Sequence, residues 1–181
     1  MTGASVRTLV VATLLQGAFA TVLVARGAVS FAPLTPPAAF GVVAGAATGY
    51  GLYRLLAQRG ARPRQHVSSG AILTLAFAYL VISVAEEIIW RGYAFGMLAP
   101  LRGPLVAVVA TTLGFALAHG VHQGFVGVRF HLLTGLAFAL TLLATRSLAA
   151  AAAAHATYNL TVFLRTVSIR KKASYDRLVV G

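Results

Sequence analysis

Long apolar runs, separated by short polar or basic stretches, make up most of this chain. Six such runs can be read, at 8–25, 38–56, 69–98, from 104 into the 120s, 130–145 and 147–164. Apolar and polar residues do not alternate within them, and Ala and Leu are frequent, so we predict helices rather than strands. Most runs approach the roughly 20 residues that a helix needs to cross a bilayer. The pattern therefore predicts an all-α fold, a polytopic membrane bundle of about six transmembrane helices.

Composition supports this interpretation. The chain is 59% hydrophobic and only 10% charged, and its mean hydropathy is +0.84. So few charged residues cannot cover the surface of a soluble domain. The length of 181 residues suits one compact bundle, so we predict a single transmembrane domain over residues 1–181. The absence of cysteine excludes disulfides and thiolate chemistry.

The net charge of +12 raises the question of a nucleic-acid partner. The basic residues punctuate the apolar runs instead of clustering on a polar face, so we predict contact with membrane lipid and no nucleic acid. With a cytoplasmic N-terminus, the inner connections and tail hold eleven Lys and Arg residues, and the outer connections hold three, Arg26, Arg102 and Arg146. The positive-inside rule then predicts that both termini are cytoplasmic.

Two of the apolar runs raise further points. Residues Ala18-Phe19-Ala20 in the first run are similar to the cleavage site of a signal peptide. The run continues past this site to Ala25, so we expect a retained helix. In the sixth run, the alanines at 149–154 permit close packing against another helix.

The third run contains an unusual acidic pair. The chain has only three acidic residues, and two of them, Glu86 and Glu87, are adjacent here. An ionisable side chain inside a membrane helix costs several kcal/mol, which favours a functional role. Glu87 and Arg91 are four residues apart and can pair on one helix face. Glu86 points about 100° away, without a local cation, which favours a role as general base. The alternative is a structural ion cluster with a snorkelling arginine.

Two further polar pairs occur in later runs, Phe115 with His119 and His155 with Asn159, each with a spacing of four residues. A single membrane histidine more often bonds two helices together than catalyses a reaction. At 1.5 Å per residue, however, Glu86 and His119 lie roughly 18 and 22 Å from the outer surface, and His155 and Asn159 roughly 12 and 18 Å. These similar depths predict that the side chains converge on one polar, water-containing cavity inside the membrane.

The ordered set of motifs resembles a known family. The motifs are Glu86-Glu87-x-x-x-Arg91, Phe115-x-x-x-His119 and His155-x-x-x-Asn159. They resemble the CPBP family of CAAX-prenyl-protease and bacteriocin-processing intramembrane proteases, also called the Abi family. The resemblance covers about residues 70–165, the predicted catalytic core helices. It implies a helical bundle with a cavity open to membrane and water, and we expect a bacterial or archaeal cell membrane as its location.

The resemblance also implies roles for the residues of the first two motifs. Glu86 would be the catalytic base that activates a water molecule. His119 would help to hold and polarise that water. Glu87 and Arg91 would support Glu86.

For the third motif, the resemblance implies that His155 and Asn159 stabilise the oxyanion of a tetrahedral intermediate. The residue types also allow zinc, with Glu86, His119 and His155 as possible ligands. No HExxH helix is present, and Asn159 suits an oxyanion better than zinc. We therefore expect a glutamate mechanism with no metal and no other cofactor.

These observations predict an intramembrane endopeptidase that hydrolyses a peptide bond of a lipidated or membrane-tethered protein. One alternative is a non-catalytic membrane scaffold or immunity protein of the same fold, which should have lost part of the polar set. Another is a transporter that uses Glu86 and Glu87, which would usually show repeated broken helices. We interpret His122 and His131 as interfacial residues near the connection between the fourth and fifth helices.

Overall fold

The computed structural model describes residues 3–29, 35–56 and 65–169, and the backbone alone for residues 3–7, 65, 66, 122, 168 and 169. The helices are α1 (Gly3–Ala25), α2 (Pro36–Leu56), α3 (Ser69–Glu87), α4 (Phe95–Arg102), α5 (Pro104–Thr145) and α6 (Leu148–Thr166). A π-helical segment (Ile88–Ala94), called here the π segment, joins α3 to α4 without a break. The predicted all-α membrane bundle is confirmed.

The prediction of helices alone missed one small feature. Strand β1 (Gln65–Val67) pairs in parallel with β2 (Val167–Ile169). The first strand leads into α3 and the second follows α6, so this three-residue pairing brings the ends of the two helices together.

The fourth and fifth apolar runs form two helical arms that one residue joins, and α5 is the name used here for both arms together. Inside it, Gly124 has φ 65° and ψ −166°, which is not helical. This region of backbone space is accessible essentially only to glycine. The chain folds back at this residue, so that α5 consists of a first arm, 104–123, and a second arm, 125–145. The connection that we predicted in the 120s is therefore one glycine.

Helix starts follow local capping chemistry. The Ser68 hydroxyl accepts a hydrogen bond from the Ala71 N–H at 3.2 Å, and Ser147 does the same for Ala150 at 3.2 Å. Such caps satisfy N–H groups that have no partner within the helix. Pro104 stands in the first turn of α5, where its missing N–H and fixed φ cost nothing.

Helix α2 packs mainly against α6 through a row of buried glycines, Gly41, Gly45 and Gly49. A methyl group at Gly45 would collide with the carbonyl oxygen of Ala150, and one at Gly49 with that of Ala154. Small residues at this spacing let two helix backbones come into direct contact. The close packing that we expected for the alanine run of α6 is confirmed, and α2 is its partner.

Helix α1 packs against α3. Ala20 and Leu23 of α1 form a buried cluster with Ala85 of α3 and Ile88 of the π segment. The α1 helix continues through the Ala18-Phe19-Ala20 stretch. It thus supports the segment that carries the two glutamates.

Among the described residues, many large apolar side chains are exposed, whereas three charged ones, Glu86, Glu87 and Arg91, are buried. Phe40 and Leu105 are each 75% exposed, whereas Glu87 and Arg91 are 0% and 2% exposed. This distribution suits a surface in contact with lipid and a polar interior. It fits an integral membrane protein.

By length and composition, the described residues contain four candidate membrane spans, Thr8–Ala25, Ser69–Arg102, Pro104–Val121 and Gln123–Thr145. The number falls below the predicted six because α2 and α6 do not meet the same criterion. Helix α2 is rich in glycine and tyrosine, and α6 carries His155 and Asn159. For these two helices, a membrane-spanning position stays a prediction.

Candidate active site

The two adjacent carboxylates lie at the end of α3, immediately before the π segment. Glu86 is 5% exposed and Glu87 is fully buried. Single π-helical turns inside α-helices frequently occur at functional sites. Arg91 projects from this segment, and its Nη1 lies 3.2 Å from Oε1 of Glu87. The predicted ion pair is therefore present, and it is completely shielded from solvent.

Arg91 also connects the π segment to α5. Its Nη2 donates a hydrogen bond to the carbonyl oxygen of Gly135, in the second arm, at 2.8 Å. The guanidinium carbon lies 4.6 Å from the ring centroid of Phe115 and 5.9 Å from that of Phe138. A planar, weakly hydrated cation is suited to such surroundings, where a lysine could not make the same set of contacts.

Glu87 has a second partner, the imidazole of His155. The Nδ1 atom of His155 lies 2.8 Å from Oε1 of Glu87. Because an ionised carboxylate only accepts hydrogen bonds, Nδ1 must carry the proton. The His155 ring also stacks on Phe138, with centroids 4.5 Å apart and planes at 20°. These contacts direct Nε2 towards Glu86, whose Oε2 is 3.7 Å away.

His119 approaches Glu86 from another helix. Its Nδ1 lies 2.9 Å from the carbonyl oxygen of Phe115, one turn earlier in α5. A carbonyl also only accepts, so this Nδ1 carries a proton too. The Nε2 atom of His119 is 3.6 Å from Oε1 of Glu86. The carboxyl of Glu86 thus lies between two imidazoles that come from α5 and α6.

Glu86 and the two imidazoles form a cluster of hydrogen-bond acceptors. With Nδ1 protonated, a neutral imidazole has only a lone pair at Nε2. Both Nε2 atoms then face carboxylate oxygens, at distances too long for a hydrogen bond. Such a cluster favours a hydrogen-bond donor or a cation between its members. The convergence that we predicted for Glu86, His119 and His155 is observed.

Asn159 lies beside this cluster on α6, one turn after His155. Its Nδ2 donates to the hydroxyl of Ser83 at 3.0 Å. Ser83 is itself fully buried and donates to the carbonyl oxygen of Tyr79 at 2.7 Å. A serine one turn before Glu87 therefore orients the amide, and sequence reasoning did not identify it.

Phe115 lies at the centre of the site. It is fully buried, and its ring centroid lies 4.5 Å from that of His119 and 5.8 Å from that of His155. With Arg91 above the ring, Phe115 contacts side chains from three segments. The sequence identified Phe115 only as part of a motif, and the structure indicates why the motif needs an aromatic ring.

We interpreted His131 as an interfacial residue, which stays a prediction, and the structure places its side chain beside the site. Its ring stacks on that of His119, with centroids 3.7 Å apart and planes at 26°. This contact was not predicted, because the predicted connection between the fourth and fifth runs was too long, whereas the chain turns at Gly124 alone. His119 lies five residues before Gly124 and His131 seven residues after it. A turn placed at this glycine would have predicted that the two histidines meet. The side chain of His122 lies outside the described residues.

The donor types of this site, a carboxylate and two imidazole nitrogens, are those that zinc prefers. Across the described residues, however, no group of three or more His, Cys, Asp or Glu side chains is arranged to hold a metal ion. A mechanism without a bound metal therefore stays a prediction.

Comparison with known proteins gives one finding. A family model described as "Type II CAAX prenyl endopeptidase Rce1-like" matches residues 68–161, just over half of the chain. The matched range contains all the polar residues of the site, from Ser83 to Asn159. No curated protein and no solved structure matches the chain.

Proposed function

Because this chain belongs to the Rce1-like family of type II CAAX prenyl endopeptidases, we propose that it hydrolyses a peptide bond near the C-terminus of a prenylated, membrane-tethered protein. The family resemblance indicated by the sequence motifs is confirmed by this match. The family implies a peptidase.

One observation carries the proposal: Glu86 lies between two imidazoles whose Nε2 atoms face it at 3.6 and 3.7 Å. Water is the simplest molecule that can donate hydrogen bonds to several acceptors at once. A water placed among these atoms would be polarised by His119 and deprotonated by Glu86. General-base assistance of this kind contributes typically 10²–10⁴-fold to a rate.

In the reaction we propose, the water oxygen forms a bond to the carbonyl carbon of the substrate while its proton passes to Glu86. The carbonyl π bond opens and leaves a negative charge on oxygen. When the intermediate collapses, the C–N bond breaks, and Glu86 returns the proton to the leaving amine. One water is consumed, and the carboxylate is regenerated.

The oxyanion of this intermediate would be stabilised by groups on α6. An amide has two N–H groups, so Asn159 can donate one to Ser83 and the other to the oxyanion. His155 can donate from Nε2 only when both of its nitrogens are protonated. The neighbouring Glu87 carboxylate, 2.8 Å from Nδ1, stabilises that imidazolium. Each such donor is worth a few kcal/mol in other hydrolases.

The test uses purified protein in detergent with two synthetic peptides. Both end in the same CAAX sequence, and only one carries a prenyl group on its cysteine. We expect mass spectrometry to detect a shortened product from the prenylated peptide. The Glu86→Gln variant keeps the size of the side chain and removes the base, so it should form at least a hundredfold less product.

Three outcomes would contradict parts or all of the proposal. Equal cleavage by wild type and Glu86→Gln would exclude Glu86 as the base. Failure of folded wild type to cleave either peptide would favour the scaffold or immunity-protein alternative. Cleavage of both peptides at the same rate would retain the peptidase but reject recognition of the lipid.

A further inference from the structure

His131 is the polar residue beside the site that the proposed mechanism does not use. It lies in the second arm of α5, and its ring stacks on His119 with a centroid separation of 3.7 Å. It also meets the Phe115 ring edge-on, at 5.4 Å. Its Nε2 lies 3.2 Å from Oε1 of Gln123, so the imidazole can donate to the amide oxygen. Residues of the first arm, before the turn at Gly124, thus hold this ring of the second arm in place.

The contact has a consequence for His119. That residue is only partly buried, with 19% of its side chain exposed. One hydrogen bond, from Nδ1 to the Phe115 carbonyl, does not prevent the ring from rotating about its long axis. A flat ring stacked on one face, together with Phe115 close by, restricts that rotation. The stacked geometry therefore determines where Nε2 of His119 points.

We propose that His131 is a positioning residue, which acts through its ring by keeping Nε2 of His119 directed at Glu86. This inference rests on the proposed function, since its catalytic effect requires His119 to act on the reacting water. Because the stacking surface is what matters, a phenyl ring should replace the imidazole, whereas a methyl group should not.

The kinetic test compares His131→Ala and His131→Phe on the prenylated peptide. We expect His131→Ala to lower kcat on the order of tenfold with little change in KM, because a misdirected catalytic group slows the chemical step. His131→Phe should stay within a few-fold of wild type. Phe130→Ala is the matched control, since it removes an aromatic ring from the adjacent, 40% exposed position on the same arm. It should leave kcat unchanged.

A second measurement does not depend on activity. Diethyl pyrocarbonate modifies exposed imidazoles, and mass spectrometry reports the rate at His119. This rate should rise several-fold in His131→Ala and stay near the wild-type value in His131→Phe and Phe130→Ala. If neither wild type nor any variant cleaves the peptide, the proposed function has failed. The labelling result then still decides whether His131 shields His119.

Other results would overturn the proposal. If His131→Ala retains wild-type kcat and labelling, the stacking contact has no positioning role. If His131→Phe is as impaired as His131→Ala, the ring nitrogens matter rather than the flat surface. If KM rises while kcat is unchanged, His131 contacts substrate instead of His119.

Discussion

Glu86 and Glu87 are neighbours in sequence but have different surroundings. Glu87 is fully buried and bonded to Arg91 and His155. Glu86 faces two imidazole nitrogens, at longer distances. An ion pair of the first kind holds a structure in place, whereas a carboxylate of the second kind is available for proton transfer. In the proposed mechanism, the pair thus divides support and chemistry between two adjacent positions.

From this difference we predict that Glu86→Gln lowers activity more than Glu87→Gln does, whereas Glu87→Gln lowers stability more. Glu87→Gln should lower kcat about tenfold, less than Glu86→Gln, because an amide oxygen can still accept from His155. It should lower the free energy of unfolding more, since it leaves the buried Arg91 without a counter-charge, a defect that costs several kcal/mol. Peptide cleavage and thermal unfolding in detergent measure the two effects.

If Glu87→Gln loses more activity than Glu86→Gln while both remain folded, the two roles are exchanged. If Glu86→Gln unfolds at a much lower temperature than Glu87→Gln, Glu86 is the structural member of the pair.

Much of the site could be predicted from residue spacing. Positions four apart share a helix face, so the Glu87–Arg91 pair followed directly from the sequence. The meeting of Glu86 with His119 and His155 followed from similar depths in the membrane. The contacts of Ser83 and His131 did not, because serine is common in helices and because the turn at Gly124 brings together residues from predicted separate helices. The catalytic roles stay a prediction.

At the scale of elements, α2 carries none of the proposed catalytic residues. It lies directly against α6, however, which carries His155 and Asn159. Its glycines contact the backbone of α6 at Ala150 and Ala154, and His155 follows immediately. The position of His155 therefore depends on how closely α2 approaches. The apolar pattern indicated that α2 is a helix but not which partner its glycines meet.

We predict that Gly49→Ala separates α2 from α6. The added methyl group collides with the Ala154 carbonyl, and overpacking of this kind costs about 1–3 kcal/mol. The melting temperature and kcat should both fall. Gly51→Ala is the matched control, since nothing lies within 4 Å of the methyl group it would add to the same helix.

The control should be neutral or slightly stabilising, because alanine is the better helix former. Equal melting temperatures for the two variants would contradict the close contact between α2 and α6.

At the scale of the whole molecule, many apolar side chains face outward, whereas Glu86, Glu87 and Arg91 are buried inside. This distribution was predictable from composition, since too few charged residues exist to cover a surface. The number of spans was harder to predict, because the polar residues that give α6 its proposed function also lower its hydropathy.

The proposed metal-free mechanism predicts that the purified protein keeps its activity after treatment with a strong chelator. Purified protein is incubated with the chelator, which is then removed, and cleavage of the prenylated peptide is measured against an untreated sample. We expect equal rates. A lasting loss that zinc restores would assign Glu86, His119 and His155 to a metal instead.

The distribution of Lys and Arg predicts that both termini are cytoplasmic. Since the natural chain has no cysteine, single cysteines can report orientation without background. A cysteine added at either terminus should resist a membrane-impermeant maleimide in intact cells. Ala28→Cys, at an exposed position after α1, should react. Reaction in the opposite pattern would invert the predicted topology.

The contact between α2 and α6 also bears on how such enzymes can be recombined. The family match begins at residue 68, so the glycine row of α2 lies outside it. A chimera that grafts residues 68–161 onto foreign N-terminal helices would inherit every catalytic candidate. His155 would keep its position relative to Glu86 only if the incoming helix also had glycines four residues apart, which let it contact the backbone of α6.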